Sequence, residues 1–367
     1  MKTESNSLRM VEASGPPEQL GFEIGTQCKD LGQQMVEDCR QELKQKYNIE
    51  WDKAKVIARK RLPFCQDSIP VHVEELQGYA RGAKLSLDDV FATLYWDYDG
   101  DKDKMSGRSD SGCTDFVVSA NLTREKHVFM AHNEDFNSKF ANYLCMVRAK
   151  PQNGPASLNI SCGGILCGVG LNSAGLGFSG NGLSPNDIGV GIPTAMIFRA
   201  LYGAGTIVDA LTYANLPQRE ANDNHVVADN NGQIYSVEGS ATDFELIHAT
   251  DGYLVHTNHY LTQKMRKYES DFQGDIKSIR GYMCSVARYN RALSLLRESE
   301  EISLQRVMEI LRDHANCPCS ICRHPDETVK EDERGKTIYS SVVDLTAQEL
   351  WICYGNPCVG EYHRYTL

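Results

Sequence analysis

Hydrophobic and charged residues alternate at helical spacing through the first quarter of the chain. The pattern across residues 17–98 predicts a mainly helical region, with the clearest helices over 31–47, 57–62 and 73–83. Ser86 and Asp89 have the spacing of a capping box, which predicts that a helix begins there and runs through residues 90–96. The polar stretch 99–111 that follows predicts a solvated loop.

Short apolar runs replace the helical pattern after Cys113. Strands are predicted at 116–120, 127–131, 143–148, 158–161, 225–228, 233–237, 244–248, 253–256, 337–344 and 349–354. Helices are predicted at 193–202, 206–214, 285–297 and 303–314. Because strands and helices occur in separate runs, we expect an α+β protein with antiparallel sheets rather than a parallel βαβ sheet. Helices outside two stacked antiparallel sheets satisfy this pattern.

The glycine-rich segment 162–182 resembles a phosphate-binding loop only in composition. It has neither GxGxxG nor the Gly-Lys-Ser/Thr of a P-loop. We therefore expect its glycines to permit tight turns or a close approach of the backbone near a pocket.

Composition narrows the class of protein. The hydrophobic content of 41% and charged content of 24% are typical of a soluble globular chain. The net charge of −11 and the lack of basic clusters argue against nucleic acid as a partner. Apolar stretches are interrupted well before the ~18 residues of a membrane helix, and the N-terminus shows no secretory signal. The thirteen cysteines are expected to stay reduced, as in a cytoplasmic thiol enzyme.

Cys113 is the first candidate for chemistry. It follows the polar loop and precedes the apolar run 116–118, so a strand would hold the thiol while the preceding Gly112–Cys113 bond lies in a mobile segment. This placement suits a thiol that attacks its own upstream carbonyl and becomes a new N-terminal residue. A small buried residue that opens a strand is the alternative interpretation.

Three further segments carry candidate polar groups. Asn133 and Asp135 end the predicted second strand of a hairpin and are expected near Cys113, although a polar turn is the alternative. Asn258 follows the strand 253–256 and offers a side-chain amide to an oxyanion or caps a turn. Glu333 and Arg334 precede the strand 337–344, where the arginine either binds a carboxylate or belongs to a solvated charge run.

A fourth segment, 317–324, contains three cysteines and a histidine within eight residues. These residue types are metal ligands, but C-x-C-x-x-C-x-H is not a standard zinc spacing, and structural zinc sites usually pair two such clusters.

Taken in order, the motifs resemble the penicillin acyltransferase family, a cysteine group of the N-terminal nucleophile (Ntn) hydrolases. This group also includes β-alanyl-amine hydrolases. The matching pieces span nearly the whole chain: LGFEIGTQ at 20–27, GCT at 112–114, AHNED at 131–135, VGLNSAGLGFSGNGL at 169–183, VEGS at 237–240, VHTNH at 255–259, SICR at 320–323 and ERG at 333–335.

The resemblance implies a four-layer αββα fold and an autocatalytic zymogen. Residues 1–112 would be a helical N-terminal segment, the α subunit after cleavage, and 113–367 the catalytic β subunit of one integrated domain. Cys113 would be the nucleophile for cleavage after Gly112 and for later turnover. The other implied catalytic residues are Asp135 for self-processing, Asn258 for the oxyanion and Arg334 near the site. Ser240 and Asn133 would line the site.

Two acidic departures from the family pattern, Asp115 and Glu333, are expected to line the substrate site and to favour a substrate with a positive group. The extra cysteines beside SICR favour a family loop over a metal site, so we expect no metal and no cofactor. The expected partners are a small amide or acyl thioester substrate and the cleaved N-terminal segment.

Two alternatives remain at this stage. One is an uncleaved thiol hydrolase in which His132, His256 or His259 serves Cys113. The other is a non-catalytic protein that binds metal through the 317–324 cluster.

Overall fold

The computed structural model describes residues 8–94, 112–221, 223–270, 276–328, 330 and 334–367. The predicted loop 99–111 and Glu333 therefore lie outside the described residues. Within these ranges, the helices are α1 (Pro17–Gln27), α2 (Lys29–Tyr47), α3 (Trp51–Arg59), α4 (Leu62–Ser68), α5 (Pro70–Ala83), α6 (Leu87–Thr93), α7 (Thr194–Leu201), α8 (Ile207–Ala214), α9 (Ile276–Arg297) and α10 (Leu304–Leu311). Short 3-10 helices cover Ser138–Tyr143 and Met265–Tyr268.

The strands form two sheets. They are β1 (Met10–Gly15), β2 (Gly112–Val118), β3 (Phe129–Asn137), β4 (Leu144–Pro151), β5 (Ser157–Cys162), β6 (Leu166–Asn172), β7 (Leu176–Asn181), β8 (Asn224–Asp229), β9 (Ile234–Gly239), β10 (Phe244–His248), β11 (Tyr253–His256), β12 (Gly335–Asp344), β13 (Glu349–Tyr354) and β14 (Tyr362–Thr366). The eight-stranded sheet has the order β1-β4-β5-β6-β7-β8-β9-β10, and the six-stranded sheet has the order β11-β2-β3-β12-β13-β14. Described strand neighbours pair antiparallel except β1 with β4.

The two sheets pack face to face, with helices on both outer sides. Helices α9 and α10 cover the six-stranded sheet in a core that includes Phe116 and Leu311. Helices α7 and α8 cover the eight-stranded sheet in a core that includes Phe178 and Leu201. The predicted α+β fold with four αββα layers is confirmed.

Glycines allow the two sheets to approach closely. A Cβ on Gly177 of β7 would lie 2.6 Å from Cδ2 of Leu345, which follows β12. Real Cβ contacts are not this short, so a larger residue at position 177 would require the Leu345 side chain to move. The prediction of tight turns is confirmed at Gly163 and Gly164, whose φ angles are positive. Strands β6 and β7 occupy much of the glycine-rich segment, where no strand was predicted.

The N-terminal segment is packed into the same structure. Strand β1 pairs with β4 from the second part of the chain, and α1 packs against α5 and β1. Residues of α1, α2 and α5 share one apolar core with residues from both sheets. The division at residues 112 and 113 stays a prediction.

Local signals located several elements correctly. Ser86 and Asp89 form the predicted capping box at α6, and Thr206 accepts a hydrogen bond from Asp209 N at α8. Strand boundaries differ more, because β2 begins at Gly112 and β3 continues to Asn137. The segment 131–135 therefore lies inside a strand, and Cys113 is the second residue of β2.

One pair of cysteines departs from the expectation of reduced thiols. Cys284 on α9 and Cys319 form a disulfide. The pairing follows from the tertiary structure, because 35 residues separate the two cysteines in sequence. None of the helices in the described part of the chain is long and apolar enough to cross a membrane.

Candidate active site

Cys113 lies where the hydrogen-bond ladder of β2 changes partner. Strand β11 ends at His256, which pairs with Asp115, so its main chain stops short of Cys113. The Asn258 side chain replaces the main chain of β11 as the hydrogen-bond acceptor: its Oδ1 accepts a 2.8 Å hydrogen bond from Cys113 N. On the other side of β2, Gly112 pairs with Asp135 and Cys113 with Glu134. The Gly112–Cys113 peptide bond is thus held from both sides.

Arg288 on α9 connects the groups around this bond. Its Nη2 donates a 2.7 Å hydrogen bond to Asn258 Oδ1, and its Nη1 donates to Cys113 O and, at 2.9 Å, to Thr114 Oγ1. The side chain is only 3% exposed. A planar guanidinium presents several donors in a fixed geometry, so Arg288 sets the relative positions of Asn258 and the Cys113 main chain.

Sequence reasoning missed Arg288. The available signal was its spacing: Ser285, Arg288 and Ala292 are all buried and recur every three to four residues along α9. A cation on the apolar face of a helix needs partners, and here those partners belong to the candidate site. Ser285 contributes as well, because its Oγ accepts a 2.7 Å hydrogen bond from Asn258 N.

Gly112 is required by this arrangement. A Cβ at this position would lie 2.9 Å from Arg288 Nη2 and 3.3 Å from Asn258 Oδ1. Because the buried guanidinium is held by several hydrogen bonds, it has little freedom to retreat. The residue before the candidate nucleophile is therefore restricted to glycine by the side chains that orient the nucleophile.

The Cys113 thiol is protonated in this environment. Burial raises the pKa of Cys113 well above its usual value, and the Glu134 and Asp115 carboxylates raise it further. The thiol donates to Glu134 Oε1 across 3.5 Å, and Cys113 is 7% exposed. Glu134 is thus the hydrogen-bond acceptor of the Cys113 thiol.

His132 lies between two carboxylates. Its Nδ1 is 2.8 Å from Asp115 Oδ1 and its Nε2 is 3.1 Å from Glu134 Oε2. Burial alone lowers the pKa of His132, but the Asp115 carboxylate and then Glu134 raise it to about 10. At neutral pH the ring is an imidazolium with both nitrogens protonated, so it cannot accept the thiol proton.

The other two histidines considered for Cys113 have different partners. His256 Nε2 is 2.9 Å from Glu238 Oε1, and its Nδ1 contacts Asn181 Oδ1 and Thr257 O. His259 Nδ1 is 2.8 Å from Ser285 Oγ. Both rings thus serve to hold the segment after β11.

Asp135 faces the helical layer from β3. Its Oδ1 accepts a 2.7 Å hydrogen bond from Thr337 Oγ1, whereas Oδ2 has no hydrogen-bond partner among the described residues. Burial raises the pKa of Asp135 to about 6, although Arg288 and Arg323 lower it. This carboxyl group therefore changes charge close to neutral pH, directly across the ladder from Gly112.

The remaining predicted site residues have structural partners. Asn133 Nδ2 donates to Leu311 O and Ile321 O, Ser240 Oγ donates to Asp187 Oδ2, and Arg334 Nη2 donates to Glu327 O. Asp115 is fully buried against His132. The substrate-binding and catalytic roles assigned to these residues stay predictions, as does that of Glu333, which lies outside the described residues.

A family model described as "Acyl-coenzyme A:6-aminopenicillanic acid acyl-transferase" matches residues 122–358. The chain belongs to this acyltransferase family. The match includes Asp135, Asn258 and Arg288, whereas Cys113 lies nine residues before it. For this member of the acyltransferase family, the assignment of the nucleophile therefore depends on the geometry around Cys113.

Solved structures resemble this acyltransferase family member at low sequence identity. A mutant conjugated bile acid hydrolase from Clostridium perfringens is 13% identical, with a TM-score of 0.48, and the alignment covers 70% of this chain and 97% of that chain. Penicillin V acylase from Agrobacterium tumefaciens is 15% identical, with a TM-score of 0.44, and the alignment covers 66% and 83%. A search of curated proteins found no match.

Proposed function

We propose that the chain is a self-processing cysteine amidase or acyltransferase that cleaves itself between Gly112 and Cys113. The observation that carries this proposal is the set of side-chain contacts around that peptide bond: Asn258 Oδ1 accepts from Cys113 N of the bond itself, Arg288 donates to the next carbonyl, Cys113 O, and Glu134 accepts from the thiol. Any buried strand residue needs partners for its main-chain N–H and C=O, but here the side chains of Asn258 and Arg288 supply them in place of the strand β11.

In the first step, the Cys113 sulfur attacks the Gly112 carbonyl carbon while Glu134 takes the thiol proton. The C–N bond breaks, the nitrogen gains a proton, and Gly112 becomes a thioester on Cys113 Sγ. Water then hydrolyses the thioester, which releases a Gly112 carboxylate and the free thiol. The thiol proton must be transferred to a base such as the Glu134 carboxylate before the sulfur can attack, because the buried thiol is protonated at neutral pH.

The cleaved Cys113 carries a nucleophile and a base on one residue. An α-amino group has a reference pKa of about 8, so it can take a proton near neutral pH. The Asn258 oxygen that holds Cys113 N would then orient the new amine. The positive charge of Arg288 beside the same atoms disfavours the ammonium form and favours the free base.

Turnover repeats the attack on a small N-acyl amide. The thiol forms a thioester with the acyl group, and water or an amine then accepts that group. Asn258 Nδ2 has two hydrogens, one of which donates to Gly182 O at 3.1 Å. We expect this amide, beside Cys113, to donate to the substrate oxyanion, and removal of such a donor typically slows acyl transfer about 10²–10³-fold.

The charge of the substrate stays a prediction. The Asp115 carboxylate is bound to His132 inside the protein, so it offers no support for recognition of a positive group. That expectation now depends on Glu333 alone. Hydrolysis and acyl transfer use the same thioester and differ in whether water or an amine accepts the acyl group.

The uncleaved Cys–His alternative has less support. His132 is the histidine beside the thiol, but a pKa of about 10 leaves it protonated at neutral pH. The metal-binding alternative does not conflict with catalysis, because Cys322 and His324 form a group with His314 and Cys358 that is separate from the group of Cys113, His132 and Glu134.

The proposal is tested by the intact mass of freshly purified wild-type protein under denaturing and reducing conditions. We expect two fragments, one ending at Gly112 and one beginning at Cys113. Reduction is necessary so that no disulfide holds pieces together. A single chain that never matures during prolonged incubation would contradict the self-processing mechanism.

Self-cleavage is expected to slow as the pH falls below about 6. Burial raises the pKa of Asp135 to about 6, so the carboxylate is ionised above this pH and lost below it. If the carboxylate supports cleavage, about a tenth of the maximal rate remains one pH unit below the pKa. The measurement is a pulse of cell-free translation followed by a chase at several pH values.

Asp135→Asn provides the control for this pH profile. The variant cannot ionise at position 135, so it should cleave slowly at every pH and lose the inflection near pH 6. An unchanged inflection in this variant would assign the titration to another group.

A further inference from the structure

Four side chains that have no role in the proposed reaction lie close together beside strands β12, β13 and β14 of the six-stranded sheet. His314 follows α10, Cys322 and His324 lie in the segment before β12, and Cys358 lies in the turn between β13 and β14. One ligand atom from each lies within 4.8 Å of the other three. The cysteine-rich segment 317–324 contains two of the four residues, whereas His314 and Cys358 lie outside it.

The distances match a tetrahedral metal site. Zinc bonds of about 2.3 Å to sulfur and 2.05 Å to nitrogen place ligands about 3.3 Å apart for two nitrogens and about 3.6 Å for nitrogen and sulfur. Here His314 Nε2 and His324 Nε2 are 3.1 Å apart. His324 Nε2 is 3.8 Å from Cys322 Sγ and 3.4 Å from Cys358 Sγ.

The surroundings suit thiolate ligands. Both cysteines are free in the structure, and Asn356 Nδ2 lies 3.5 Å from Cys322 Sγ as a hydrogen-bond donor. The same amide donates to Arg323 O at 2.7 Å, which fixes its direction. Donors to sulfur stabilise the negative charge that a zinc-bound cysteine carries, as outer-shell groups do in structural sites.

We propose that these four residues form a structural zinc site of the Cys₂His₂ type. Two thiolates and two imidazoles in a tetrahedral arrangement favour zinc among the divalent metals. Four protein ligands fill the coordination shell, which leaves no open position for substrate, so the metal has no catalytic role. The inference goes beyond the proposed function and does not depend on it.

The site would fix a segment that supports the candidate active site. Ile321 O, next to Cys322, accepts a hydrogen bond from Asn133. Arg323 N donates to Thr337 Oγ1 at 2.9 Å, and the same hydroxyl donates to Asp135. Zinc bound to Cys322 and His324 would therefore fix the residues on both sides of Arg323, whose main chain is connected to Asp135 through Thr337.

The neighbouring cysteines are excluded as ligands by their own positions. Cys319 is bonded to Cys284, and Cys317 is exposed and outside the four-residue group. The irregular C-x-C-x-x-C-x-H spacing is thus explained, because two of its members are not ligands and two ligands come from elsewhere.

The test is the metal content of wild-type protein purified without added metal or chelator, measured by elemental mass spectrometry. We expect one zinc per chain. Replacement by cobalt should give the intense visible absorption of tetrahedral cobalt with thiolate ligands. Absence of zinc together with no cobalt spectrum overturns the proposal, and so does stoichiometric iron in place of zinc.

Variants locate the metal. Cys358→Ser and His314→Ala should lose the zinc, whereas Cys317→Ser, in the same loop, should retain it.

Cys113→Ser is a second control because Cys113, His132 and Glu134 also lie within 4.8 Å of one another. Loss of zinc only in Cys113→Ser overturns the assignment, as does a Cys322–Cys358 disulfide in peptides from non-reduced wild type. The cobalt spectrum needs no variant, so a variant that fails to fold does not prevent the test.

Discussion

The Cys113→Ala protein is expected to remain a single chain and to hydrolyse no amide. Alanine lacks the sulfur that attacks the Gly112 carbonyl, and the uncleaved main chain keeps Cys113 N in an amide rather than as a base. Self-cleavage and amide hydrolysis should both be undetectable, because the Cys113 sulfur is the nucleophile in both reactions. The measurements are denaturing intact mass and release of amine from a set of small N-acyl amides.

Two matched variants make this result specific. Cys317→Ala removes an exposed free thiol elsewhere and should process and turn over normally. Cys113→Ser keeps a nucleophilic oxygen and should cleave slowly, which separates loss of the nucleophile from loss of the fold. If Cys113→Ala still hydrolyses an amide at the wild-type rate, another residue is the nucleophile.

Arg288→Met is expected to slow self-cleavage by about 10²-fold, because misplacement of reacting groups by about 1 Å costs about that much. The substitution removes the donors to Cys113 O, Thr114 Oγ1 and Asn258 Oδ1 together. Arg288→Lys retains a positive charge but not the planar fork, so its rate should fall between the wild type and Arg288→Met. The rate is followed by mass spectrometry of pulse-labelled precursor.

Arg291 on the same helix provides the control for a general effect on α9. It forms an ion pair with Asp313, 2.7 Å between Nη2 and Oδ2, in a partly exposed position. Arg291→Met should change thermal stability slightly and leave the cleavage rate unchanged. Equal slowing in the two methionine variants would show that Arg288 acts through the fold rather than by positioning the scissile bond.

Elements governed by nearby residues were predictable from sequence. The capping box at Ser86, the cap at Thr206 and the hairpin of β12 and β13 depend on side chains within a few positions of each other. The beginning of β2 was not predictable in this way. Its residues Thr114 and Asp115 are polar and fully buried, and their partners are Arg288 and His132. A method based on apolar runs therefore starts this strand too late.

The strands β1 and β14 were missed for a related reason. Strand β1 is short and pairs with β4, from a distant part of the chain, while β14 is a partly exposed edge strand of mixed composition. Pairing with a preformed neighbour stabilises such strands more than their own residues do.

The sequence by itself determined the family motifs, their order and the position of Cys113 at the entrance to a strand, because each depends on residues adjacent in the chain. Only the tertiary structure decided which groups surround that cysteine. It brought Arg288 to the Cys113 main chain across 175 positions, and it joined His314 and Cys358 to two members of the 317–324 cluster. Buried charges and ligand groups depend on partners in space, and a linear pattern does not encode those distances.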